Sequence, residues 1–101
     1  MVKTVAILGS TGSIGKSTLD VLAQRGGREA YRVTALTGAA NVALLAEQAV
    51  AAGAERAVTA LPDRYAELRE RLDGTGIEAA AGPEAVAEAA TGAEWVMAAI
   101  V

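Results

Sequence analysis

The chain has 101 residues, enough for one hydrophobic core but not two. It is 52% hydrophobic yet only 3% aromatic, with no Phe; Ala carries much of the apolar count, which favours helices packed closely on a sheet over a wide aromatic cavity. Nine basic residues scattered among twelve acidic ones give a net charge of −3, without the basic stripe that a nucleic-acid surface needs.

Val2 to Leu8 (VKTVAIL) is a short β-branched run ending at a glycine turn, and both parities are apolar from Val5 on. That pattern predicts a parallel strand buried on both faces. Ser13 to Arg25 reads as a helix, with Ile14, Thr18, Val21, Leu22 and Arg25 on one stripe and Gly26-Gly27 as the stop. Tyr31 to Thr37 is a second strand. Asn41 to Ala52 is a second helix, with Asn41 as N-cap and Gly53 past its end.

Arg56 to Ala60 is a short third strand. Pro62 fits the first turn of a third helix whose stripe is Leu61, Tyr65, Leu68 and Leu72; Glu67 and Arg71 lie on its solvated side. Ile77 to Ala81 is a weak fourth strand, Pro83 to Ala90 a short helix, and Glu94 to Val101 a last strand. Strands alternating with helices at this spacing predict βαβ units: a doubly wound, Rossmann-like α/β domain with a parallel sheet and helices on both faces.

The chemistry concentrates at Gly9-Ser-Thr-Gly-Ser-Ile-Gly15, followed by Lys16-Ser17. A nucleoside-triphosphate P-loop needs glycine five residues before Gly15, and that position is Ser10, so the frame is off by one. A dinucleotide-binding turn fares better: here it is G-x-x-G-x-x-G, one residue longer than the common fingerprint, between a buried strand and a helix. Gly9 would make the strand exit, Gly12 would let the backbone approach a diphosphate, and Gly15 would let the helix lie close to the sheet. The diphosphate would sit on the free amides of the helix N-terminus. Lys16 reads as a solvated lysine of the first helical turn. No carboxylate stands near Leu36-Thr37-Gly38 to grip a ribose 2′-hydroxyl, which permits NADP; Gly38-Ala39-Ala40-Asn41 offers no cation to secure it.

Val5 to Gly15, with Ser17-Thr18-Leu19-Asp20-Val21, Ala35-Leu36, Asn41-Val42 and Val96 to Val101, resembles the 1-deoxy-D-xylulose 5-phosphate reductoisomerase family over the whole chain. The resemblance implies an NADPH-dependent enzyme of non-mevalonate isoprenoid biosynthesis. It would rearrange 1-deoxy-D-xylulose 5-phosphate and reduce the product to 2-C-methyl-D-erythritol 4-phosphate, as a homodimer using Mg or Mn. It places the cofactor diphosphate at Thr11, Gly12, Ser13 and Ile14, and the adenosine 2′-phosphate in the loop after the second strand, at Gly38, Ala39, Ala40 and Asn41. Family members often carry a glycine and a basic residue where Ala39 and Ala40 stand. Ala98 to Ile100 would lie near the nicotinamide half.

The resemblance puts the family's metal-binding carboxylates and phosphosugar site in a later domain, so no residue here is assigned to catalysis or to a metal. Residues 1–101 are then expected to be the amino-terminal NADPH-binding domain of a longer enzyme, inactive alone. The abrupt Ala-Ala-Ile-Val end agrees with that. A strand beginning at once after Met1, no apolar run near the ~18 residues of a membrane span, and the lack of Cys and His point to a cytoplasmic protein without leader, disulfide or zinc site. The rival readings are another NADP enzyme's cofactor lobe, a P-loop NTPase and a non-catalytic nucleotide sensor.

Overall fold

The computed structural model describes residues 3–98. Among these residues five parallel strands form one sheet: β1 (Lys3–Leu8), β2 (Tyr31–Gly38), β3 (Arg56–Thr59), β4 (Glu78–Ala81) and β5 (Trp95–Ala98), in the order β4-β3-β2-β1-β5. Helices α1 (Ser13–Gln24), α2 (Val42–Ala52), α3 (Tyr65–Arg71) and α4 (Pro83–Ala89) link them. Val2 lies outside the described residues, as do Ala99, Ile100 and Val101 of the expected last strand.

The winding follows from that order. From β1 to β4 the chain steps one strand at a time in one direction, and α1, α2 and α3 share a face. It then returns past β1 through α4, on the other face, to β5. The reversal falls between β1 and β5, which is where doubly wound sheets open a crevice at their carboxyl edge.

Val5, Ala6 and Ile7 are all fully buried, which accounts for the apolar run at both parities. Val5 and Ile7 join Val33, Leu36, Leu45, Leu68 and Leu72 in the larger core, while Ala6 meets Ala35, Val58 and Ala89 in a smaller one. That second core is nearly all Ala and Val, so α4 lies close to the sheet.

Helix α2 obeys the local signals. Asn41 Oδ1 accepts the Leu44 N–H at 3.2 Å, and Gly53 closes the helix in the left-handed region at φ 65°. Gly26, at φ 113°, follows α1 as expected, and a 3-10 turn over Gly27–Glu29 leads into β2.

Two helical stripes differ from expectation. On α1, Ile14 and Val21 are 53% and 47% exposed, and the buried residues are Gly15 and Leu22, with Leu19 packed against the core. The helix rotates because Gly15, the position without a side chain, must face the exit of β1. On α3, Leu68 and Leu72 are buried but Leu61 and Tyr65 are not. Residues Pro62–Arg64 form a 3-10 turn, whose three-residue period shifts the phase of the stripe before the helix begins.

Candidate functional site

The site grows from the carboxyl ends of β1 and β2, which are paired in register as Ile7↔Leu36 and Leu8↔Thr37. Leaving β1, Gly9 takes φ 83°, a conformation that turns the chain sharply and suits glycine. Its N–H donates to Thr37 Oγ1 at 2.9 Å, and the Ser10 N–H donates to the Thr37 carbonyl at 2.8 Å. Thr37 is 2% exposed, so the turn is anchored to the neighbouring strand from inside the protein.

Gly12 is the N-cap of α1, in extended conformation, and among the described residues no side chain caps the helix. The first turn therefore presents backbone amides of Ser13 and Ile14, both exposed, with no acidic residue among them. Such orphan donors at the positive end of a helix dipole are suited to an anion. A Cβ added to Gly15 would lie 2.6 Å from the Ser10 carbonyl carbon and nearer still to the Gly9 carbonyl oxygen. Only glycine lets α1 start this close to the turn.

The second loop leaves β2 at Gly38 and runs through exposed Ala39, Ala40 and Asn41 into α2. Thr59, fully buried at the end of β3, donates its hydroxyl to the Ala39 carbonyl at 2.8 Å and accepts the Leu61 N–H at 3.2 Å. The two loops touch: a Cβ on Gly38 would be 3.2 Å from Thr11 Cγ2. Thr11, Gly12, Ser13, Ile14, Gly38, Ala39, Ala40 and Asn41 thus gather on one edge of the sheet. Ala98 ends β5 on that edge, paired with Leu8; Ala99 and Ile100 lie outside the described residues.

Lys16 is exposed and lines the groove between α1 and α2 with Leu19, Asp20 and Gln48. Ser10, where a P-loop would need glycine, is wholly buried and bonded to Gln48. Among the described residues, no three His, Cys, Asp or Glu side chains are grouped to hold a metal, and no helix is long and apolar enough to cross a membrane.

Sequence reading missed the anchors Thr37 and Thr59. Each is the polar residue ending or nearly ending an apolar strand, and that placement was the available signal. It also missed the Ser10–Gln48 contact, which joins residues 38 positions apart and leaves no local trace.

A parallel sheet with its winding reversed beside β1, and a glycine turn feeding an uncapped helix there, defines a Rossmann-like α/β domain. The family model for 1-deoxy-D-xylulose 5-phosphate reductoisomerase matches residues 5–101. The chain belongs to the 1-deoxy-D-xylulose 5-phosphate reductoisomerase family. A reductoisomerase of that name from Rhizobium rhizogenes is 59% identical over 98% of this chain and 25% of its own length. One from Paracoccus denitrificans is 57% identical, covering 98% and 26%.

Among solved structures, the reductoisomerase from Zymomonas mobilis in complex with NADPH superposes with a TM-score of 0.94 at 50% identity, covering 99% of this chain and 26% of that one. A reductoisomerase in complex with NADPH, fosmidomycin and magnesium gives a TM-score of 0.87 at 36% identity, covering 98% and 24%. The chain spans about a quarter of the length of the relatives it matches.

Proposed function

We propose that residues 1–101 form the NADPH-binding lobe of an enzyme that converts 1-deoxy-D-xylulose 5-phosphate to 2-C-methyl-D-erythritol 4-phosphate. The observation that carries this reading is the contact of Gly15 with the Gly9–Ser10 backbone, which seats the uncapped α1 terminus at the carboxyl edge of β1. The 0.94 superposition on a relative solved with NADPH supports it.

The residues present fit the cofactor. Among the described residues, the nearest atom to where a Gly12 side chain would stand is the Gly9 carbonyl oxygen at 3.7 Å, leaving room for a diphosphate against the backbone. Thr11, Gly12, Ser13 and Ile14 would hold that diphosphate through backbone amides and hydroxyls. Gly38, Ala39, Ala40 and Asn41 would border the adenosine 2′-phosphate, in a loop without a carboxylate to repel it.

NADPH supplies the hydride that reduces the aldehyde formed by rearrangement. This lobe's part is to hold and orient the cofactor. The phosphosugar and the Mg or Mn ion would be held by the part of the enzyme beyond residue 101, which works as a cytoplasmic homodimer. Replacing the matching segment of the Rhizobium rhizogenes relative with this chain tests the reading. The chimera should oxidise NADPH when given 1-deoxy-D-xylulose 5-phosphate, and the chain alone should not. A folded chimera that binds no NADPH would overturn it.

A further inference from the structure

Helix α2 reaches both loops of the candidate site from one face. Asn41, Leu45 and Gln48 recur at i, i+4 and i+7. Asn41 ends the second loop; Leu45 is buried, 3.5 Å from where a Gly38 side chain would begin. Gln48 grips the glycine turn: Ser10 Oγ donates to Gln48 Oε1 at 2.8 Å, and Gln48 Nε2 donates to the Ser10 carbonyl at 2.9 Å.

The orientation of this amide is fixed by chemistry. The Ser10 carbonyl can only accept, so the NH2 group must face it and the amide oxygen is left for the hydroxyl. Ser10 is fully buried; among the described residues the one alternative acceptor for its hydroxyl proton is the Thr37 carbonyl, at a long 3.4 Å. Without Gln48, a buried carbonyl would lose its side-chain donor, and the turn could recover it only by rotating towards water.

We propose that Gln48 is a positioning residue for the diphosphate-binding turn. By clamping the hydroxyl and the carbonyl of Ser10, it fixes the peptide from which Thr11, Gly12 and the first amides of α1 are aimed. This inference rests on the cofactor reading above. Gln48 is not itself among the residues expected to touch cofactor.

The test compares two ligands on the chain: NADPH, and adenosine 2′-monophosphate, which shares the adenosine and 2′-phosphate but lacks the diphosphate. Gln48→Leu should weaken NADPH about tenfold, the equivalent of one hydrogen bond to a buried group. It should leave adenosine 2′-monophosphate within about twofold, because that ligand does not use the turn. Leu72→Val, a core substitution under α3 far from both loops, should lower the melting temperature without altering either affinity.

Unchanged NADPH affinity in Gln48→Leu overturns the proposal, and so does an equal loss for both ligands. If Gln48→Leu does not fold, Ser10→Ala decides the matter. It removes one of the two clamp bonds at nearly constant volume and should show the same selective loss, smaller in size; no selective loss overturns the proposal. A failure of the cofactor reading is distinguishable: the unsubstituted chain would then bind no NADPH, before any variant is compared.

Discussion

Gly12 and Gly15 sit three residues apart and should respond to alanine in opposite ways. A Cβ at Gly15 would strike the Gly9 and Ser10 backbone, which cannot swing aside as a side chain could. Gly15→Ala should therefore cost about 3 kcal/mol or more of stability, at the upper end of overpacking effects, and abolish cofactor binding with it. Gly12 has an ordinary extended conformation, and a Cβ there would meet only the Gly9 carbonyl oxygen, at an ordinary van der Waals distance of 3.7 Å. Gly12→Ala should change stability by no more than about 0.5 kcal/mol, yet weaken NADPH because its methyl occupies the space proposed for the diphosphate. Urea unfolding and NADPH fluorescence titration read the two effects separately. Equal losses of stability at both positions would mean that Gly12 serves packing.

At the scale of elements, α2 and the loop before it combine a structural task with the proposed binding one. Asn41→Ala removes the cap on the Leu44 amide and should cost about 1 kcal/mol. Asn41→Asp keeps the cap, and its carboxylate favours the helix N-terminus, but that charge faces the proposed 2′-phosphate. It should preserve the melting temperature and weaken NADPH more than NADH. Conversely, Ala40→Lys should raise the preference for NADPH over NADH about three- to tenfold, and the gain should shrink as salt is added. An equal gain for both cofactors would place the 2′-phosphate elsewhere.

Helix α2 was legible because its signals are local: a cap residue at Asn41 and a glycine with positive φ at Gly53. The inward face of α1 was not, because hydrophobic periodicity gives no weight to Gly15, and Gly15 sets the rotation of the helix. The candidate loops were legible from glycine spacing and strand ends. Their anchors Thr37, Thr59 and Gln48 were not, because a buried hydroxyl or a half-buried amide gains its meaning from a partner brought near only by the fold.

For the molecule as a whole, the glycine turn, the strand reversal beside β1 and the two uneven cores serve one arrangement. The larger core fixes α1, α2 and α3 on one face, and the small Ala-rich core lets α4 carry the chain back to β5. Both loops then share an edge, with their backbones anchored to buried side chains. The surface ion pairs add little: Arg71 and Glu67, 3.2 Å apart and about half exposed, are worth a few tenths of a kcal/mol.

The most direct test of the central claim, that this edge holds NADPH, is thermal unfolding with NADPH at one hundred times its dissociation constant, and with NADH or ATP-Mg at that same concentration. NADPH should stabilise the chain by about 2.7 kcal/mol, a rise of roughly ten degrees or more for a domain of this size. ATP-Mg should give no comparable shift. Stabilisation by ATP-Mg alone, or by none of the three, would contradict it.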